Sequence, residues 1–381
     1  MKDVARIIST YTCDTSGVAS ALYELGGMTV MHDAAGYNST YSTYDEPRWY
    51  DTESLVFTTG LTETQAILGD DSKFINDTIE AAQELKPKFI ALTGSPIPMV
   101  TGTDFPAIAR EVELATGITT FGFDTNGMHS YVAGVGLALK VLAERICQAP
   151  THKSEALAVN LLGITPLDFS TNGTATALET VLEQQGIRIQ SNWAMGSSFA
   201  AIQNAGAAQV NLVVTAGGLP AAKVLQKRFG MPYVIGTPYG AAFTAQIGAA
   251  IRKAATSGEN QVVCQPRVNA KTIIIGESVT GLSLANALYA ATGAGATVLC
   301  PVTPAVELLT TGCIAARDED ELIPHLAAAT TIIADPLYQP ICPATAKFVA
   351  LPQEAFSGRI YHQVMPNLVS HLGTLLEELG S

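Results

Sequence analysis

In a chain that alternates strand-like and helix-like segments, reactive side chains gather where strands end, because loop amides and helix N-termini converge there. Strand ends read from the sequence offer Asp124, Asn126 and His129 after Thr120–Phe123, and Thr237 and Tyr239 after Val234–Gly236. They also offer Glu277 and Ser278 after Ile275, and Asp335, Tyr338 and Cys342 after Ile333. Tyr239, Glu277 and Cys342 are candidate cofactor-binding residues. His129 is the candidate catalytic proton donor, since an ordinary imidazole titrates nearest neutrality. His32 beside Asp33 could relay a proton or hold a turn. Cys342, flanked by Pro340 and Pro343, could bind a metal axially or pack as a loop thiol. His152, His325, His362 and His371 have no comparable placement.

The elements that must position these groups read as α/β. From Leu55 to Asp104 a Gly/Thr loop leads into a helix with Phe74, Ile75, Thr78, Ile79, Ala82 and Leu85 on one face. Lys86-Pro87 stops it, because proline lacks the amide proton of a further turn. The run Phe89–Leu92 is a strand buried on both faces, and Thr93-Gly94-Ser95-Pro96 turns the chain outward. Similar alternation recurs to the C-terminal helix at about Asn367–Leu379. The spacing predicts three Rossmann-like domains with parallel sheets around a central cleft, at residues 1–150, 151–258 and 259–381.

Composition narrows the function. The 381 residues carry a formal charge of −13 and only 14% charged side chains. That balance disfavours nucleic acid and anionic membrane partners, since no basic patch exists to release counterions. The start MKDVARIIST has no apolar leader-like core and no span approaches about 20 apolar residues, which predicts a soluble, cytoplasmic protein. No G-x-x-x-x-G-K-[ST] occurs, and Gly276–Gly281 and Gly293–Gly295 fail the full G-x-G-x-x-G pattern, so neither an ATP nor an NAD site is expected here. The six cysteines, at 13, 147, 264, 300, 313 and 342, show no C-x-x-C, and most should be small core residues.

The order VFTTGLTE, AILGDD, FINDTIEAAQELKPKFIAL, VTGTDFPAIAREVE resembles nitrogenase component 1. That family also includes cofactor-assembly scaffolds and the reductases of chlorophyll and nickel-corphin biosynthesis. Upstream, Cys13-Asp14-Thr15-Ser16-Gly17 and Met31-His32-Asp33-Ala34-Ala35-Gly36-Tyr37 are similar to the family's first cysteine and its His-Gly-Pro-x-Gly-Cys turn. The resemblance implies three cluster cysteines per subunit. Here Cys13 is kept, the second position is Tyr37, and the third falls at or beside Pro96. Proline binds no metal and a phenol is a harder, more basic ligand than a thiol. This chain alone therefore cannot build the family's bridging cluster.

Two readings of Cys13 stay open. It could give one iron ligand to an interfacial iron–sulfur cluster shared with a partner, with Asp14 or Asp33 as an odd carboxylate ligand. Or it is a buried structural thiol and no cluster exists. The resemblance implies an oxidoreductase: a nitrogenase-like reductase subunit taking electrons from an ATP-dependent iron protein. It would act as a homodimer, or as a heterodimer with a cysteine-complete paralogue, on an unsaturated or metal-bearing molecule such as a tetrapyrrole. The alternatives are a non-catalytic scaffold or carrier for a metallocofactor or tetrapyrrole, and an unrelated iron-free α/β enzyme.

Overall fold

The computed structural model describes residues 5–7 and 12–380, apart from the side chains at 44 and 359; the opening stretch MKDVARIIST lies largely outside it. The strands form three sheets. Every strand pair within them runs parallel. The first sheet orders Leu55–Thr58, Met28–His32, Ile90–Gly94, Thr120–Gly122. The second orders Arg188–Ala194, Ala158–Ile164, Val210–Val213, Tyr233–Ile235, Gln261–Val262. The third orders Cys313–Ala315, Thr297–Cys300, Thr272–Ile275, Thr331–Ala334, Lys347–Ala350. Each is thus wound outward in both directions from a middle strand, the doubly wound, Rossmann-like arrangement.

The apolar runs explain the central strands. Met28–His32, Ile90–Gly94 and Ala158–Ile164 are buried along their whole length, as strands covered by helices on both faces must be. Two edges differ from the sequence reading. Leu55–Thr58, just ahead of the Gly/Thr loop, is an edge strand, and Gln261–Val262 carries the second sheet past residue 258. Cys147, Cys264, Cys300 and Cys313 are buried, Cys13 and Cys342 only partly, and all six thiols are free.

The helix Asp14–Leu22 has no exposed residue and lies against Tyr131–Val141. Their backbones approach so closely that a Cβ on Gly17 would sit 2.2 Å from the Tyr131 carbonyl oxygen. One on Gly134 would sit 1.8 Å from the Asp14 carbonyl oxygen. Glycine at both positions is what lets the helix start at Cys13 reach the middle of the molecule.

The carboxyl ends of the sheets meet there. Tyr131 donates to Asp168, Thr165 Oγ1 donates to Asp168 Oδ2 at 2.7 Å, and the Ala216 amide donates to Glu277 Oε1 at 3.2 Å. Beside Asp168, Tyr239 and Gly276 the central cleft narrows to a void of ≈ 40 Å³, room for little beyond water. Among the described residues no helix is long and apolar enough to cross a membrane.

Candidate functional site

A separate, wider cleft lies between the first and third units. Cys13 is the residue just ahead of the helix Asp14–Leu22, held by an antiparallel bridge to Ser130. The preceding Thr12 amide donates to the Ala355 carbonyl at 2.9 Å, tying this corner to the third unit. The opening has a volume of ≈ 620 Å³, with Cys13, Tyr37 and Asp45 on one wall and Leu337, Glu354 and Phe356 on the other. That size suits a small-molecule pocket.

Asp45 is anchored from behind. The buried Arg48 holds Glu46 through Nε at 2.6 Å and Nη2 at 2.8 Å, reaches Glu24 through Nη1 at 2.8 Å, and donates to the Ser20 carbonyl at 2.8 Å. This fork pins the segment after the helical turn 37–45 onto the helix Asp14–Leu22. Asp45 then faces Ser16, whose hydroxyl donates to Oδ2 at 2.6 Å, while Thr12 Oγ1 donates to Oδ1 at 3.4 Å. Ser16 Oγ is 2.9 Å from Tyr37 Oη, and Tyr37 Oη is 3.1 Å from Cys13 Sγ. With Asp45 ionised, only one ordering satisfies every atom: thiol to phenol, phenol to serine, serine to carboxylate.

Burial sets the protonation states along this row. It pushes the Asp45 carboxyl up to about 6, although the Ser16 and Thr12 hydroxyls pull the other way. It raises the Cys13 thiol, against the Tyr37 hydrogen bond, so Cys13 is protonated near neutrality. It holds Tyr37 well above a free phenol. Across the cleft, burial raises Glu354, whose Oε1 accepts from Ser170 Oγ at 2.7 Å and pairs with His362 Nδ1.

The residues expected from the sequence fall into two groups. Cys13 and Tyr37 come together, Sγ to Oη at 3.1 Å, whereas Pro96 does not line the opening: it packs on Gly127, where a Cβ would lie 2.7 Å from its Cδ, and the Gly127 amide donates to Asp14 at 2.7 Å. Asp14 is spent on backbone amides of Thr15, Asn126 and Gly127 and lies 3.3 Å from His129 Nδ1. His129, with its side chain 60% exposed, stands outside the cleft. Asp33 caps its own turn through the Ala34 amide. His32 is buried against Phe74, ring centroids 4.4 Å apart, and its Nδ1 meets Thr59 Oγ1 at 2.9 Å. Desolvation lowers it to about 4, so it is neutral.

The others lie at the centre or at structural turns. Glu277 takes up the Val279 and Thr280 amides at the start of a buried helix, and Tyr239 borders the small central void. Thr237 Oγ1 donates to the Val214 carbonyl, Asp335 accepts from Leu337, Gln353 and Ser357, and Cys342 Sγ donates to the Tyr338 carbonyl. Three groups went unread in the sequence. Asp168 sits just past the strand Ala158–Ile164, so the strand-end rule applied there would have found it. Asp45 and Glu354 follow segments with no strand-like pattern and gave no signal.

A four-thiolate iron–sulfur cluster does not fit the residues of this chain. One protonated thiol faces a phenol, and no group of three or more His, Cys, Asp or Glu side chains among the described residues could hold a metal ion. Ser95, beside Pro96, is buried with its Oγ unpartnered among the described residues.

The comparisons with known proteins agree with this frame. The family model for nitrogenase component 1 type oxidoreductases matches residues 13–294. The nitrogenase iron-molybdenum cofactor biosynthesis protein NifE of Clostridium pasteurianum is 28% identical over 190 residues, covering 48% of this chain and 40% of that protein. One subunit of the light-independent protochlorophyllide reductase of Leptolyngbya boryana is 32% identical over 129 residues, 34% of this chain and 25% of that protein. The chain thus spans less than half the length of these curated relatives. A solved structure of nitrogenase Cp1 at pH 5 superposes with a TM-score of 0.66 at 16% identity, over 99% of this chain and 90% of that one, which shows a shared fold. From its cysteine corner through the helix that ends near residue 292, the chain belongs to the nitrogenase component 1 type oxidoreductase family.

Proposed function

We propose that this chain is a subunit of a nitrogenase-like reductase that holds the molecule to be reduced in the cleft beside Cys13. The observation that carries this reading is the Cys13–Tyr37–Ser16–Asp45 row opening onto a space of ≈ 620 Å³ at the family's cysteine corner. A relative named as a protochlorophyllide reductase subunit supports an unsaturated or metal-bearing molecule such as a tetrapyrrole as substrate. Reduction of one double bond takes two electrons and two protons. The electrons come from an ATP-dependent iron protein, and this chain's part is to bind, orient and protonate.

Asp45 suits that last task. A buried acid titrating at about 6 holds a proton part of the time near neutrality and gives it up readily. Once Asp45 is protonated, the row can reverse, serine donating to phenol and phenol to the thiol end. A proton entering at Asp45 then reaches the Cys13 face of the cleft without a charged side chain moving. His129, outside the cleft beside Asp14, is the proton donor for a surface that a partner covers. Cys13 offers at most one iron ligand, to a cluster whose other ligands a cysteine-complete partner supplies.

The loss of thiols favours a second reading, a carrier or scaffold that holds a metallocofactor or tetrapyrrole without reducing it. A relative named for cofactor biosynthesis is consistent with it. Anaerobic purification alone and with a cysteine-complete paralogue, followed by iron and sulfide analysis, EPR and turnover, separates the two. Turnover in the complex that falls at least tenfold in Asp45→Asn supports the reductase. Ligand retention with no turnover under any electron supply overturns it in favour of the carrier. A cluster signal lost in Cys13→Ala assigns that residue as a ligand, and full iron loading in the variant removes it.

A further inference from the structure

We propose that the cleft beside Cys13 takes a ring-bearing apolar molecule whose polar groups are neutral or cationic hydrogen-bond donors, and disfavours a free polycarboxylate. This rests on the reading of that cleft as the small-molecule site and names the class of ligand it accepts. The walls supply rings and apolar surface: Tyr37 on one side, Leu337, Phe356 and Tyr361 on the other. Ile360 borders the opening with 78% of its surface exposed, an apolar side chain that lacks cover until something fills the space.

The charges on the walls have one sign. Asp45 and Glu354 face the cleft from opposite sides, and both are buried. Glu46 lies behind, close enough to act electrostatically on each. The cations nearby are already taken. Arg48 is consumed by Glu46 and Glu24, and His362 by Glu354. Among the described residues lining the cleft none is Lys or Arg. A ligand carboxylate placed here would lose its water and meet two acids with no donor fork to receive it. An N–H or ammonium group would find acceptors, while its ring covers Phe356, Tyr361 and Ile360.

The test uses one ring system in two charge states against the full chain: protoporphyrin IX, with two free carboxylates, and its bis(aminoethyl) amide, with two ammonium groups. Binding is followed by fluorescence at about 0.15 M salt, where screening reaches about 8 Å. The cationic probe should bind at least about tenfold tighter, a difference of roughly 1.4 kcal/mol. Glu354→Gln should shrink that preference by about threefold or more. Ile360→Trp, at an exposed position that leaves the core untouched, should block both probes. Equal or tighter binding of the diacid overturns the ligand class and leaves the cleft as the site. Binding that ignores Ile360→Trp, or no binding of either probe, overturns the class and the site together.

Discussion

The Ser16 hydroxyl sits 2.6 Å from Asp45 Oδ2, and that contact joins two parts of the chain 29 residues apart beneath the thiol of Cys13. Among the described residues it is also the only strong stabilisation the Asp45 carboxylate receives, since the Thr12 contact is long at 3.4 Å. One short hydrogen bond does not offset the lost hydration, so the native state prefers Asp45 protonated up to pH of about 6.

The sign of the stability effect follows. Between an ordinary carboxyl pKa of 3.8 and about 6, the folded state binds more protons at this residue than the unfolded state. Stability from Asp45 therefore falls as pH rises through that window, by a total on the order of 3 kcal/mol. Asp45→Asn should gain relative to the parent protein as pH goes from 4 to 7.5, measured by urea unfolding at each pH. A difference independent of pH would sink this account of Asp45.

Arg48 should be among the costliest side chains to remove. Arg48→Leu leaves Glu46 and Glu24 without their partner, and Glu46 is fully buried in its side chain. Loss of one member of such a group costs about 3–5 kcal/mol, because the charge left behind is uncompensated. Denaturant midpoints at pH 7.5 check this, and a change under about 1 kcal/mol would contradict the buried network.

His32 should remain neutral where free histidine does not. Its folded pKa is lowered to about 4, so from about 6.5 down to 4 the unfolded chain takes up the proton first and stability falls with pH. In an NMR titration its ring C–H shifts should stay flat from pH 8 to about 5. His129, with its side chain 60% exposed, supplies an exposed ring in the same spectrum. Titration of His32 near 6.5 would contradict its packing on Phe74.

Gly134→Ala should be poorly tolerated although alanine is the better helix former. The added carbon would lie 1.8 Å from the Asp14 carbonyl oxygen, so the two helices must part. A cost of about 1–3 kcal/mol or more follows from overpacking, together with faster alkylation of Cys13 as its corner loosens. Thermal melts and a thiol-labelling time course read both effects.

Much of the architecture could be read from residue order. Phe89–Leu92, Val210–Thr215 and Thr297–Cys300 announce themselves as doubly covered strands, and the stripe through Phe74, Thr78 and Ala82 marks a helix face that is indeed buried. Met28–His32 did not, because its polar end looked like part of a turn, and Lys347–Ala350 is too short and mixed to stand out. The site divided in the same way. Residues at the ends of legible strands were found, yet several of these proved to cap helices, as Glu277 does. Asp45 and Glu354, which face the cleft, and Ser16 behind Asp45 are brought together by contacts across 29 and more residues and between sheets. No local period encodes such a meeting.

Tyr37 within hydrogen-bond reach of the Cys13 thiol has a practical corollary. The corner around Cys13 is stitched by its own hydroxyls, so its shape does not wait for iron to arrive. Such a chain should reach its native form on the ribosome's schedule, in air and without cluster-assembly machinery.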